Sequence, residues 1–353
     1  QKIKIGTGAI EGQQLWSLLE KYFFHKRENH DFLTFTIPFA CVATNVENGE
    51  PHVMKGGDIV SALRASMAIP AVFSSVQRDG MKLIDGGVVN NFPVDVVRDM
   101  GAEYVIGVFV SQGLKPADEL KTPVDIIYQM GFFKDAFMYQ LNLSQTDLYI
   151  QPGLSGYTAG SFTDVQAIIE EGKQAARMVI SEIKALLHDE AQSARANAVS
   201  HERTRHILVE KISHHGLNNI RSSYLNNMIS LQTGDSVNAA ELERIVNRLY
   251  ASGYFERVLC HFEPIAGQPK HKHLIFTYTE KPLASLQLGV HYNSFSGMGL
   301  LAGVSTNRFL IYNLKGSLLM RLGEHAALSS GLSFFLTEKQ QNWIDLKLQA
   351  DVF

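Results

Sequence analysis

The sequence has few cysteines, no long apolar run and no excess of one charge. Cys41 and Cys260 are its two cysteines; they fall in different predicted domains, so we expect no disulfide, and two cysteines alone cannot form a metal site. No apolar run reaches the roughly 18 residues that a membrane-spanning helix needs. The net charge of −3 argues against a nucleic-acid partner, because binding phosphates requires a basic surface.

The thirteen histidines include two close pairs, His214-His215 and His271-x-His273. Such pairs can bind zinc, but these two fall in loop-like stretches without carboxylate or cysteine neighbours. We therefore interpret them as solvated histidines, and the sequence predicts no metal ion and no other cofactor.

The composition is that of folded domains, with 45% hydrophobic and 19% charged residues over 353 positions. This length predicts two or three domains. The first residues lack the apolar segment of a signal peptide, and the chain ends at Phe353 within a strand-like alternation. We therefore expect the chain to be a fragment.

Residues 1–187 alternate short apolar runs with helical stretches, which indicates a layered α/β domain with a largely parallel sheet. The predicted strands are residues 37–41 and 105–110, and the predicted helices are residues 13–22, 60–68 and 165–187. Residues 188–204 are polar and rich in alanine and serine, so we predict a linker there.

The remainder of the chain divides at about residue 282. Residues 205–282 have the order β-α-α-β-β, which predicts a small sheet covered by two helices. From residue 283 onward, apolar and polar residues alternate in segments of roughly ten, as in transmembrane β-strands. On this pattern alone, a soluble antiparallel sheet is an equal alternative.

Asp85 is the strongest candidate for a catalytic residue. It ends a predicted strand and is followed by Gly86 and Gly87, which allow a sharp turn and a close backbone approach. A carboxylate aimed in this way suits a general base. Taken by itself, Asp-Gly-Gly is more typical of an ordinary turn.

Asp85 lies within a longer run of motifs that resembles the patatin-like phospholipases. The run consists of Ala-Leu-Arg-Ala-Ser-Met-Ala-Ile-Pro (62–70), Leu-Ile-Asp-Gly-Gly (83–87), Asn-Asn-x-Pro (90–93) and Met-Gly-Ala-Glu-Tyr-Val-Ile-Gly-Val (100–108). The resemblance covers about residues 1–187.

This resemblance implies a Ser-Asp dyad in which Asp85 activates a serine on a Gly-x-Ser-x-Gly elbow. No such elbow occurs in the sequence, so the nucleophilic serine is not present in this chain, and we expect it before Gln1. We therefore expect the chain alone not to hydrolyse esters. Arg64, Asn90 and Asn91 are expected to support the site rather than react.

Residues 205–282 resemble a POTRA domain, most specifically in the run Leu-Tyr-Ala-Ser-Gly-Tyr-Phe-Glu-Arg-Val (249–258). Such domains bind extended segments by strand addition and precede outer-membrane barrels. The resemblance therefore favours the first strands of a transmembrane β-barrel for residues 283–353. The combination resembles the patatin-type autotransporters of type V secretion and implies the outer membrane of a Gram-negative bacterium, with a periplasmic or cell-surface lipase domain.

The function implied is that of a lipid acyl hydrolase acting in lipid degradation on a phospholipid or another lipid ester. Residues 124–142 could line an acyl-binding cleft, although a stripe of Met and Phe is more typical of a core. The alternatives are a non-enzymatic outer-membrane translocator with a relic patatin domain, and a soluble lipase with an accessory β domain. A homo-oligomer is left open.

Overall fold

The computed structural model describes residues 8–10, 12–27, 30–158, 160–190, 206–293, 297–306, 314–323, 326–336 and 343–352. The chain forms two compact units. Unit 1 contains residues 1–12 and 29–203, and unit 2 contains residues 13–28 and 204–353.

Unit 1 is an α/β region, as predicted. Its strands are β1 (Gly8–Ile10), β2 (Cys41–Asn45), β3 (Pro51–Met54), β4 (Ala71–Phe73), β5 (Val76–Arg78), β6 (Met81–Asp85), β7 (Ile106–Val108) and β8 (Leu148–Ile150). Its helices are α2 (Ile59–Ser66), α3 (Val94–Asp99), α4 (Pro123–Met130), α5 (Phe133–Leu143), α6 (Val165–Met178) and α7 (Ile180–Glu190).

The prediction of a largely parallel sheet is wrong for the described part of unit 1. Its largest sheet has the order β3-β2-β6-β5, and every neighbouring pair in it is antiparallel. Parallel pairing occurs in two two-stranded sheets, β1 with β4 and β7 with β8. Hairpin-length connections such as those between β2 and β3 and between β5 and β6 permit only antiparallel neighbours.

Several predicted elements of unit 1 shift or divide. The strand expected at residues 37–41 begins instead at Cys41. The helix expected at residues 165–187 consists of α6 and α7, and the helical stretch at residues 124–142 consists of α4 and α5. Helix α7 extends to Glu190, into the predicted linker, and residues 191–204 of that linker lie outside the described residues. The boundaries of the patatin-like region and of the linker stay predictions.

Unit 2 contains the predicted β-α-α-β-β elements, with one short strand (Ser236–Val237) between the two helices that was not predicted. Its elements over this stretch are β9 (Ile207–His215), α8 (Ser222–Ile229), β10 (Ser236–Val237), α9 (Ala239–Ala251), β11 (Phe255–Ile265) and β12 (Gln268–Glu280). The sheet has the order β10-β9-β12-β11. Asn238 and Glu241 form a capping box that starts α9, and the apolar face of α9 packs with α8 and with alternate residues of the strands in one core.

A helix from the N-terminal part of the chain also belongs to unit 2. Helix α1 (Gln13–Phe23) and the 3-10 turn Phe24–Lys26 were expected within the patatin-like region. In the structure they belong to the compact unit formed with residues 204–353, and Phe24 lies in the same core as β11 and β12. The sequence pattern predicts this helix correctly but does not identify what it packs against.

The C-terminal part of unit 2 is a five-stranded antiparallel sheet, which confirms the predicted antiparallel strands. Its strands are β13 (Ala284–Asn293), β14 (Gly297–Thr306), β15 (Leu314–Gly323), β16 (Ala326–Phe335) and β17 (Trp343–Val352), paired in that order. None of the helices among the described residues is long and apolar enough to cross a membrane.

The register of the five strands places most of their large apolar side chains on one face, with exceptions such as Leu301 and Leu319 on the other. Leu288 pairs with Ala302, and Ala302 pairs with Met320. Because directly paired residues share a face, the apolar alternation of each strand continues into the next. This face is exposed: Leu288 has 77% of its surface accessible, Leu318 50% and Leu348 75%.

Two glycines with positive φ provide a test of the unit 2 fold. Gly216 has φ +78°, and an added Cβ would lie 2.3 Å from the carbonyl oxygen of Tyr278 on β12. Gly234 has φ +93° with no atom within 4 Å of that position. We expect Gly234→Ala to lower the free energy of unfolding by about 1–2 kcal/mol, and Gly216→Ala to lower it by about 1–3 kcal/mol more. Urea unfolding of both variants measures this, and equal losses would contradict the close approach.

Candidate active site around Asp85

Asp85 is fixed by the backbone at the end of β6. Its N–H donates to the Ala68 carbonyl oxygen at 3.1 Å, and its own carbonyl accepts the Thr44 hydroxyl at 2.8 Å. The residue therefore has hydrogen bonds on both sides of its Cα, which leaves little freedom to the direction of its side chain. This position at a strand end agrees with the sequence prediction.

The two glycines after Asp85 are required by close contacts. An added Cβ on Gly86 would lie 2.1 Å from the Val42 carbonyl oxygen of β2, a distance that no side chain can occupy. One on Gly87 would lie 2.9 Å from Asn91 Oδ1 and 3.1 Å from Asp85 Oδ1. The glycines allow the 3-10 turn Gly86–Val88 to pack directly against β2. An ordinary turn, which accepts other residues, could not approach β2 so closely.

The Asp85 carboxylate accepts the Gly87 N–H at 2.7 Å through Oδ1. Burial raises the pKa of this carboxyl above its ordinary value, and the Gly87 hydrogen bond offsets part of that rise. A carboxylate with a raised pKa is a better base than an ordinary aspartate. The turn thus both aims the group and removes much of its hydration.

A buried polar network holds the loop that follows the glycines. The Asn90 amide donates to Asp95 Oδ1 at 3.0 Å and accepts from the Asn142 amide at 3.0 Å. Asn142 Oδ1 in turn accepts the Asp95 N–H at 3.1 Å. Asn90 and Asn142 are almost fully buried, so these bonds satisfy groups that water cannot reach. Asn90 therefore has the supporting position expected from the sequence.

Asp135 connects helix α5 to the same loop. Its Oδ1 accepts the Asn91 N–H at 2.6 Å, and burial raises the pKa of its carboxyl. Asp135 and Asn142 were not among the site residues predicted from the sequence. Their spacing of seven residues places both on one face of α5, and both are buried, but α5 also contains Lys134 and Gln140, so the sequence did not single them out.

Asp135 also lines a cavity of about 250 Å³ in unit 1. The other lining residues are Phe109, Ser111, Gly113, Leu114, Phe132, Ala136, Tyr139 and Gln140. Of the Met and Phe stripe proposed for an acyl cleft, only Phe132 contributes here, while Phe133 and Phe137 are more than half exposed. The cavity therefore uses a different face of the helical stretch from the one expected.

Arg64 is 1% exposed, and its guanidinium lies over the Phe73 ring with 4.5 Å between Cζ and the ring centroid. An added Cβ on Gly12 would lie 3.3 Å from its Nη2. These contacts are with structural groups of unit 1, which agrees with the supporting role expected for Arg64.

The paired histidines lie in strands β9 and β12 rather than in loops, so that prediction is wrong. His214 Nε2 donates to Asn226 Oδ1 at 2.9 Å, and its Nδ1 forms a hydrogen bond of 2.9 Å with the Tyr278 hydroxyl. His271 has a carboxylate neighbour, Glu210, at 3.0 Å. Within the described residues, no three His, Cys, Asp or Glu side chains are grouped to hold a metal ion.

Comparisons with known families match two parts of the chain. The family described as patatin-like phospholipase matches residues 7–98, which include the Asp85 turn. The POTRA family, described as surface antigen variable number repeat, matches residues 207–281. The chain joins part of a patatin domain to a POTRA domain.

The similar curated proteins share the patatin segment. A patatin-like phospholipase domain-containing protein of Caenorhabditis elegans is 38% identical over 72 residues, 20% of this chain and 5% of that protein. A lysophospholipase of Scheffersomyces stipitis is 32% identical over 91 residues, 26% of this chain and 6% of that protein. The chain thus spans about one twentieth of the length of these relatives.

Two solved outer-membrane proteins are similar to this chain over part of its length. BamA from Haemophilus ducreyi lacking POTRA domains 1–3 has a TM-score of 0.34 at 18% identity, covering 56% of this chain and 39% of that one. CdiB from Acinetobacter baumannii has a TM-score of 0.28 at 19% identity, covering 35% and 25%.

The raised pKa of Asp85 leads to a prediction about stability. The folded chain holds the Asp85 proton more tightly than the unfolded chain, so Asp85 destabilises the fold increasingly as the pH rises through its folded pKa. Asp85→Asn removes this penalty and can still accept the Gly87 N–H. We expect unit 1 of the variant to be more stable than that of the wild type at pH 7.

The gain should disappear below the unfolded carboxyl pKa of about 4, where both states are protonated. Thermal unfolding across pH 3–8 (roughly the window in which carboxyls titrate) measures the effect. Asp99→Asn, at an exposed position that ends α3, is the matched control and should show little change. A variant that is less stable than the wild type at neutral pH would contradict the assigned effect of burial.

Proposed function

We propose that the protein is a lipid acyl hydrolase in which Asp85 is the base of a Ser-Asp dyad. The observation that carries the proposal is the Asp85 turn: a partly desolvated carboxylate whose direction is fixed by two obligatory glycines. The match of residues 7–98 to patatin-like phospholipases supports the choice of reaction. Because the sequence has no Gly-x-Ser-x-Gly segment, the proposal places the nucleophile outside residues 1–353.

In the proposed reaction, Asp85 takes the proton of the serine hydroxyl as its oxygen attacks the carbonyl carbon of a lipid ester. The tetrahedral intermediate expels the alcohol, which receives that proton, and leaves an acyl-enzyme. The same carboxylate then removes a proton from water as the water attacks the acyl-enzyme, and it returns that proton to the serine oxygen when the bond to the fatty acid breaks. The raised pKa favours both proton abstractions, and the 250 Å³ cavity beside Asp135 is a candidate for part of the acyl site.

Hydrolysis of p-nitrophenyl butyrate tests this assignment. We expect no activity from residues 1–353 alone, and activity when the proposed nucleophile segment is supplied ahead of residue 1. In that longer protein Asp85→Asn should lower kcat/KM by about 10²–10⁴-fold, whereas Asp99→Asn should leave it unchanged. Full activity of the longer Asp85→Asn protein would refute the dyad.

The second candidate function is a membrane-embedded translocator or anchor, and the five-stranded sheet favours it. A soluble protein rarely exposes a continuous apolar face of this kind, while a sheet whose outer face meets lipid requires one. We propose that residues 283–353 contribute this face to the Gram-negative outer membrane next to the POTRA domain. The two candidate functions are compatible, since they use different units of the chain.

Neighbouring residues on β15 test which face meets lipid. Leu318 lies on the apolar face, and Ser317 points to the other one; both are exposed. We expect Leu318→Arg to cost about 2–4 kcal/mol if the residue is near the bilayer centre and so to reduce flotation of the chain with phosphatidylcholine vesicles. Ser317→Arg should float like the wild type. Equal flotation of both variants, or no flotation of the wild type, would count against the proposal.

A further inference from the structure

Strand β11 lies at the edge of the unit 2 sheet. In the order β10-β9-β12-β11 it pairs with β12, and alternate residues along an edge strand direct their N–H and C=O groups away from the sheet. Val258 and Cys260 have this orientation, because their outward groups bond to side chains rather than to β12. Such an edge is a template on which another extended chain can pair.

Gln13, at the start of α1, occupies part of this edge. Its Nε2 donates to the Val258 carbonyl at 2.9 Å, and its Oε1 accepts the Val258 N–H at 2.9 Å. One side-chain amide thereby reproduces the paired bonds that a residue of a neighbouring strand would make. Gln13 is 5% exposed, so these bonds are shielded from water.

Arg27, at the other end of the segment, covers the next outward position. Its Nη2 donates to the Cys260 carbonyl, its Nη1 lies 3.6 Å from the Cys260 thiol, and its guanidinium stacks over the Phe262 ring at 5.2 Å. Glu20 accepts the Cys260 thiol at 3.4 Å. Residues 13–27 therefore close the β11 edge at two points, 258 and 260.

We propose that residues 13–27 are a detachable cover of the β11 edge, which they hold closed against an extended polypeptide strand. The cover satisfies the outward groups by side chains, whereas an added strand would pair with them along a continuous ladder. It also buries two charged residues, Glu20 and Arg27, and burying charge costs desolvation even when the charges are paired. The segment also buries Trp16 and Phe24, so its detachment exposes these two rings while the outward groups of β11 gain a paired strand in exchange.

The chemistry of the edge also defines its ligand. The backbone hydrogen bonds between β11 and an added strand do not depend on the side chains of that strand. The ligand is therefore an extended segment with free backbone amides. Pro264, on the same alternation as Val258 and Cys260, has no N–H to donate and limits the ladder at that end. The ligand is therefore a short strand that pairs mainly over residues 258–262. This proposal does not depend on the hydrolase activity.

Hydrogen exchange of the whole chain tests the cover. Gln13→Ala removes both bonds to Val258, whereas Gln14→Ala changes the same residue type at the neighbouring exposed position. We expect Gln13→Ala to increase amide exchange in β11 by about tenfold while β9 and β12 stay protected, and Gln14→Ala to change neither. Unchanged β11 exchange, or equal loosening of β9 and β12, would show that the segment is an integral part of the core and would overturn the proposal.

A peptide probe tests the competition. Residues 273–280 already pair antiparallel with β11 on its inner side, so a fluorescein-labelled peptide of that sequence is a suitable extended strand. We expect it to bind Gln13→Ala about tenfold more tightly than the wild type or Gln14→Ala. The same peptide with alternate amides N-methylated, which cannot form the ladder, should bind none of them. Equal affinity of the unmodified peptide for Gln13→Ala and the wild type would refute the proposal.

Discussion

The backbone groups of a strand that has no neighbouring strand must find other hydrogen-bond partners, and this requirement shapes both units. At the end of β6, Asp85 lies beyond the last residue paired with β5, and its backbone bonds to the Ala68 carbonyl and to the Thr44 hydroxyl. At the edge of β11, Val258 satisfies the requirement through the side chain of Gln13. In each case the partner comes from a distant part of the sequence. Both proposed functional features therefore lie where a sheet ends or has a free edge.

Under the proposed function, the Asp85 site exchanges stability for reactivity. Gly86 lets the turn press on the Val42 carbonyl, and this packing withdraws the Asp85 carboxylate from water. Burial raises the carboxyl pKa, which weakens the fold at neutral pH but makes the group a better proton acceptor. A turn whose only role was structural would gain stability from an uncharged residue at this position. An aspartate at a buried position where an uncharged residue would be more stable is therefore an argument for a chemical role of Asp85.

The sequence predicts those features that depend on neighbours along the chain. The Asp-Gly-Gly turn, the two helices of the β-α-α-β-β stretch and the alternation of β13–β17 are all local patterns, and all are present. The pairing of β2 with β6 and the placement of α1 in unit 2 depend on contacts between residues far apart in sequence, which no local pattern encodes. The role of Asp135 likewise depends on its bond to the distant residue Asn91, which its position on α5 does not reveal.

The two sheets of unit 2 show that the same alternation of apolar and polar residues can occur in a buried strand and in an exposed one. Val258, Cys260 and Phe262 of β11 alternate with more polar residues and are buried under helices. Leu286, Leu288 and Val290 of β13 alternate in the same way, yet each is at least 69% exposed. Since water disfavours such a face at about 25 cal/mol for each Å² of apolar surface, the second sheet requires an apolar environment that the first obtains from its own helices. The alternation of apolar and polar residues alone left a soluble sheet and a membrane sheet equally open. The exposure of the apolar face of β13–β17 is what favours the membrane.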